Sequence, residues 1–264
     1  MKLGIYLKGG GAKGAFQAGV IKALTERGLT FQVIAGTSIG AVNGYFLGRN
    51  ALDKLEALYM SPEDTAFQTM VLSGKTIENN HLIQKLEEIH TPLDETVQGF
   101  LVNYCLVQNG QLIERVEDLR RLTREATIAR IKWSAQLPYN HPPMTFQGFI
   151  RYIQEHDITA EFKADLQNQV YDGWKLDGGL VNNLFIREIL AFKPDKVIIV
   201  GYNGTRDEYL QGLDGLTTAE KAKLIYIARG VPFAVTNTYQ FNQAFLQGRF
   251  LEGYATGRSL ELPL

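Results

Sequence analysis

"GIYLKGGGAKGAFQAGV", residues Gly4–Val20, decides how this chain folds. The apolar run Leu3–Leu7 suits a short buried strand, and it stops in three consecutive glycines, Gly9, Gly10 and Gly11. From Gly14 onward Phe16, Val20, Ala23 and Leu24 recur at helical spacing, and Gly28 supplies a C-terminal stop. A strand that turns through glycines into a helix offers backbone amides to an anion. The anion is either a bound phosphate or an oxygen that becomes negative during a reaction.

Outward from this unit the alternation continues. "FQVIAG", Phe31–Gly36, reads as a second short strand, and "SIGAVNGYFLG" opens a second helix. Strands alternating with helices require crossover connections and a parallel sheet, so the expected class is α/β. "HLIQKLEEI" reads as an amphipathic helix. "GFLVNYCLV", "QNGQ" and "LIERV" read as strand, Asn-Gly turn and strand. Val116–Ala135 is expected to be helical, and the prolines between Pro138 and Pro143 break that pattern. A further helical excursion spans Thr145 to Leu166, a candidate cover for a site. Asp195–Tyr202 holds a late buried strand, and the remainder is expected to be helical, about 216–260. No repeat or linker interrupts the chain, so one domain over 1–264 is expected.

The 264 residues are 45% hydrophobic and 21% charged, with a formal net charge of -1. That composition is globular and lacks the basic excess of a nucleic-acid binder. Cys105 is the single cysteine and cannot form an internal disulfide. No signal-peptide pattern precedes the first strand, and no apolar run reaches the ~18 residues of a spanning helix. A cytoplasmic protein is expected, with peripheral membrane contact left open.

The glycine loop alone admits a nucleotide. A dinucleotide site needs an acidic residue at the end of the second strand, where this chain has "VIAGTS". A phosphate loop needs Gly-Lys-Ser/Thr, where this chain has Lys13, Gly14 and Ala15. Both readings lack a required part.

"GTSIG", Gly36–Gly40, is a G-x-S-x-G between a strand and a helix. Gly36 and Gly40 remove side chains that would collide at so sharp a turn, and Ser38 projects from the helix start as a candidate nucleophile. The alternative is a serine N-cap of an ordinary helix. A nucleophile needs a base. The four histidines, His81, His90, His141 and His156, all precede residue 157, whereas a hydrolase triad histidine comes last. Attention moves to "WKLDGGLVNN", in which Asp177 ends an apolar run before Gly178 and Gly179. Asp172-Gly173, five residues earlier, reads as a turn.

"GGGAKG", "GTSIG" and "DGG", in that order, resemble the patatin-like phospholipases. "GAFQAGVIKALTERG", "WSAQLP" and "DGGLVNN" are similar to the family's first helix, to the segment before its last catalytic strand, and to its base motif. The resemblance covers roughly 3–205. It implies a three-layer α/β/α fold and a lipid acyl hydrolase with a Ser-Asp dyad. Ser38 matches the nucleophile, Asp177 the base, Gly9, Gly10 and Gly11 the oxyanion loop, and Lys13 a basic position. Where relatives have proline after the motif asparagine, this chain has Leu184-Phe185.

A free aspartate is a weak base for a hydroxyl, so Asp177 is expected to be buried, with Trp174 and Leu176 as apolar neighbours. Lys13 is left with three readings: a contact to an anionic head group, a charge tuning Asp177, or a solvated lysine. No metal or cofactor is expected, since histidine and cysteine are sparse and no calcium loop is present. The expected partner is a lipid ester. Two other classes stay open at this level, a nucleotide-binding protein and a non-catalytic lipid-binding domain.

Overall fold

Leu3–Leu7 (β1) is buried at every residue because it has a parallel strand on each side, Val33–Thr37 (β2) and Lys196–Val200 (β8). The computed structural model describes residues 1–61, 71–202, 213 and 215–261; positions 203–205, the end of the motif-bearing part expected from sequence, lie outside them. Between β1 and β2 runs Gly14–Glu26 (α1), and after β2 come Ile39–Gly48 (α2) and Leu52–Met60 (α3). Val71–Ser73 (β3) and Thr76–Glu78 (β4) form a separate small hairpin, followed by Asn80–Glu87 (α4). Gly99–Gln108 (β5) and Gln111–Asp118 (β6) form a long hairpin, and Arg124–Ser134 (α5) follows. Phe146–Glu155 (α6), Ile158–Gln167 (α7), Lys175–Asp177 (β7) and Ile186–Leu190 (α8) lead to β8. Thr218–Lys221 (α9), Leu224–Ile227 (β9) and Gln243–Ser259 (α10) complete the order.

The main sheet has seven strands, in the order β6-β5-β2-β1-β8-β9, with β7 paired to β5. Five strands are mutually parallel, and β6 and β7 run antiparallel to β5. Side chains alternate between its faces. Ile5, Leu7, Ile34 and Val200 pack with Phe16, Tyr45 and Phe250 in one layer. Tyr6, Ala35 and Ile199 pack with Phe185 and Ile189 in the other. Helices thus cover both faces, which gives the three layers that the resemblance implied.

Two stretches depart from the sequence reading. Val116–Asp118 finish β6 instead of starting a helix, and α5 begins only at Arg124, capped by the Thr123 hydroxyl. The Asn109-Gly110 turn, with φ of 49° and 69°, sets a register that carries the pairing out to Leu101↔Asp118. The helical remainder is interrupted by β9, which extends the sheet beside β8. Asp172 caps the hairpin: its carboxylate accepts the Asn109 and Gly110 amides at 2.9 and 2.8 Å.

One strand organises the site. β5 pairs with β2 through Asn103, opposite Thr37, and with β7 from Tyr104, opposite Asp177. β6 occupies the other edge of β5 over the same residues, so β2 and β7 share one edge and meet end to end. The residue after Thr37 is Ser38. Two consecutive residues of β5 therefore bring the elbow and the aspartate together.

Candidate active site

Ser38 sits between β2 and α2 with φ 56° and ψ -126°. That left-handed backbone costs a β-carbon residue on the order of 1–3 kcal/mol, so the surroundings must impose it. Gly40 allows the turn to press on β1: a Cβ there would lie 2.0 Å from the Leu7 carbonyl oxygen. The Ser38 carbonyl accepts the Ala41 amide at 2.9 Å, and the Ser38 amide donates to Ser134 Oγ at 2.8 Å.

Asp177 ends β7 and is 3% exposed. Its amide donates to the Gln136 carbonyl at 2.9 Å, and its Oδ1 accepts the Gly179 amide at 2.8 Å. Oδ2 is buried and, among the described residues, has no hydrogen-bond partner. Burial pushes the carboxyl pKa up to about 6, against the Ser38 side chain and the Gly179 amide, which both pull it down. Ser38 thus stands close enough to lower the carboxyl pKa, although its contact with Oδ2 is not a formed hydrogen bond. Leu176 is fully buried, but Trp174 is 37% exposed and does not supply the apolar setting expected of it.

The glycine loop lies beside the elbow and is held by Asn183. The Gly9 amide donates to Asn183 Oδ1 at 2.7 Å, and Asn183 Nδ2 donates to the Gly9 carbonyl at 3.0 Å. This narrows the expectation for Gly9–Gly11, because the Gly9 amide already has a partner. Among the described residues nothing is bonded to the amides of Gly10 and Gly11. Gly11 has φ +55°, and a Cβ on it would stand 2.2 Å from the Thr238 carbonyl oxygen. The loop is therefore pressed between the elbow and the 3-10 turn Val235–Tyr239.

Lys13 Nζ lies 5.4 Å from the Tyr202 ring centroid. Its pKa is lowered to about 8, first by burial and then by the charge of Lys8. It is not among the groups that shift Asp177, so the tuning role raised for it finds no support. His81 and His90 are exposed, His141 pairs with Glu161 at 3.5 Å, and His156 stacks on Tyr152; none meets Ser38.

A buried polar chain ties the parts together. Tyr6 donates to Thr37 Oγ1 at 2.8 Å, because the single Thr37 hydroxyl proton goes to Asn103 Oδ1, also at 2.8 Å. Asn103 Nδ2 donates to the Asn182 carbonyl at 2.7 Å, which lies in the turn after Asp177. Sequence reasoning missed Asn103, Ser134, Gln136 and the role of Asn183. "WSAQLP" and the paired asparagines had carried only resemblance, since no local spacing ties them to Ser38.

A cavity of about 380 Å³ is walled by the apolar Leu137, Tyr139, Phe149, Phe162, Leu180 and Tyr239, with Asn140, His141, Thr159, Glu161, Lys163 and Asp165 also in its lining. α6 and α7 roof it. Leu180 follows the Asp177 turn, and Leu137 follows the Gln136 carbonyl that holds the Asp177 amide. The Tyr239 pKa is pushed up to about 12 by burial and then by the charge of Asp177. Among the described residues no helix is long and apolar enough to cross a membrane, and no three His, Cys, Asp or Glu are grouped to hold a metal ion.

Comparison with known proteins agrees with this architecture. VipD from Legionella pneumophila superposes with a TM-score of 0.50 at 13% identity, over 97% of this chain and 66% of that one, a likeness of fold. Lysophospholipase nte1 of Aspergillus terreus is 55% identical over 49 residues, which is 19% of this chain and 3% of that protein. Patatin-like phospholipase domain-containing protein 7 of Mus musculus is 27% identical over 207 residues, which is 78% of this chain and 14% of that protein. This chain thus corresponds to a small part of those curated relatives. The patatin-like phospholipase model matches residues 5–190, which include the glycine loop, the serine elbow and the Asp177 turn, and the chain belongs to that family.

Proposed function

We propose that this chain is a lipid acyl hydrolase of phospholipase A or lysophospholipase type, with Ser38 as nucleophile and Asp177 as base. The observation that carries the reading is Asp177 Oδ2: a buried carboxylate oxygen with no hydrogen-bond partner among the described residues, near the Ser38 side chain, on a carboxyl whose pKa is pushed up to about 6. A structural aspartate would have its lone pairs satisfied. A general base needs one free and a pKa near the working pH.

Ser38 Oγ attacks the ester carbonyl carbon while its proton passes to Asp177 Oδ2. The carbonyl oxygen becomes negative, and the Gly10 and Gly11 amides are the donors available to it. Losing one such donor typically costs about 2.7–4 kcal/mol of barrier. The carbon–oxygen bond to the alcohol then breaks, and the alcohol leaves with the proton from Asp177. Water attacks the acylated Ser38, its proton goes to Asp177, and the intermediate collapses to the fatty acid as Ser38 Oγ recovers that proton.

The apolar cavity supports an acyl chain as the part of the substrate bound beside the dyad. The name of the fungal relative supports a lysophospholipid, with one such chain, as the first substrate to try. Val231 and Val235 are exposed, Val235 to 80%, on the segment that flanks the glycine loop, and this supports contact with a lipid surface at the mouth of the site. The test is product analysis by mass spectrometry on a panel of phospholipids, lysophospholipids and acylglycerols. Free fatty acid should appear with wild type and be absent with Ser38→Ala and with Asp177→Asn, while a fluorophosphonate labels Ser38. Full activity in either variant would overturn the dyad.

A further inference from the structure

One short segment holds both members of the proposed dyad. Ser134, the last residue of α5, is fully buried and accepts the Ser38 amide at 2.8 Å. Two residues on, the Gln136 carbonyl accepts the Asp177 amide at 2.9 Å. Only Ala135 separates them, and its amide closes the end of α5 on the carbonyls of Ile131 and Lys132. The spacing between the two amides is thus set by one helix end.

The two contacts differ in kind. Gln136 uses its backbone, which every residue possesses. Ser134 uses its side chain, so its residue type matters. An amide at an elbow with φ 56° has no strand or helix partner of its own, and Ser134 Oγ is what satisfies it. Without that acceptor the amide is buried and unpaired, and the elbow gains by turning away from the left-handed backbone. The Ser38 side chain leaves that same Cα, so such a turn carries Oγ away from Asp177 Oδ2.

We infer that Ser134 is a positioning residue for the hydrolysis: by accepting the Ser38 amide it holds the nucleophile in line with Asp177. The inference rests on the proposed Ser-Asp dyad and adds to it a residue that touches neither substrate nor the reacting atoms.

The experiment compares Ser134→Ala, Ser134→Thr and Ser134→Val in the full chain. Thr and Val have nearly the same shape, and only Thr keeps the acceptor. For each, kcat and KM for p-nitrophenyl butyrate and the rate of fluorophosphonate labelling are measured well below the variant's own unfolding midpoint. Ala and Val are expected to lose about tenfold or more in kcat and in labelling rate, with KM within about twofold of wild type. Thr is expected to recover most of both, and the acid limb of the pH profile is expected to stay in place, since Asp177 is intact. If Ala does not fold, the Thr and Val pair carries the comparison. Equal loss in Thr and Val, or wild-type kcat in Ala, would overturn the inference. A wild-type protein that neither labels nor hydrolyses would overturn the hydrolase reading, and this inference with it.

Discussion

Asn183 closes a two-bond ring with the Gly9 peptide, accepting its amide at 2.7 Å and donating to its carbonyl at 3.0 Å. An asparagine beyond the Asp177 turn therefore sets the shape of a loop at the other end of the chain. Only a side-chain amide offers both groups at this spacing. Asn183→Leu is expected to lower kcat by about tenfold or more and to destabilise the fold by about 1–3 kcal/mol, because both Gly9 groups lose their partner. Asn183→Asp keeps the acceptor but presses a carboxylate oxygen on the Gly9 carbonyl, and should be no better. Steady-state kinetics with denaturant unfolding checks both.

The Asp177 pKa gives opposite pH dependences for activity and stability. As the proposed base it must be ionised, so kcat/KM should fall below about pH 6, by tenfold per unit. For stability, the folded pKa of about 6 stands above the ordinary 3.8, so the folded state binds this proton more tightly than the unfolded chain. The favourable contribution is complete below 3.8 and is lost as pH rises through about 6, after which the buried charge costs up to about 3 kcal/mol. Asp177→Asn, which retains an acceptor for Gly179, should therefore be inactive yet more stable than wild type near pH 8. That gain should fade toward pH 4. Thermal unfolding at the two pH values tests it; a gain independent of pH would contradict the assignment.

Gly40→Ala should not give a folded protein. Its Cβ would lie 2.0 Å from the backbone oxygen of Leu7, in the central strand, where no side chain can swing aside. A loss above about 4 kcal/mol is expected, read as loss of soluble, cooperatively unfolding protein. Ala substituted at Gly28, where nothing lies within 4 Å but φ is +84°, should cost far less.

The cavity predicts a chain-length effect. Leu180→Trp places a larger side chain in the cavity wall, three residues beyond Asp177 in the chain. The ratio of p-nitrophenyl decanoate to acetate hydrolysis should drop by about tenfold, the order expected when a few buried methylenes lose their site. An unchanged ratio would place the acyl chain elsewhere.

Much of the fold was legible in local sequence. Leu3–Leu7 reads as a buried strand, Gly14–Glu26 as a helix, and Asn109-Gly110 as a hairpin turn, because each signal is carried by neighbouring residues: periodicity, or a residue type that tolerates a left-handed backbone. Ser38 stood out for the same reason, between glycines at a strand-to-helix turn, and Asp177 for ending an apolar run before two glycines. The errors arose where a distant partner outweighed a local pattern. Val116–Asp118 had helical spacing but follow the register of β5, and Leu224–Ile227 is a four-residue strand that pairs in parallel with the distant β8.

The sequence by itself determined the parts: a glycine loop, a serine elbow and an aspartate, each written in a few contiguous residues. Tertiary structure alone decided how they combine. β5 puts Thr37 and Asp177 against consecutive residues, Asn103 and Tyr104, which no spacing along the chain reveals. The raised Asp177 pKa comes from burial in the folded chain, whereas Trp174, its neighbour in sequence, is exposed. Ser134 and Asn183 became visible only through the amides they hold, because a hydrogen bond between distant residues depends on where their backbones meet and leaves no periodic trace.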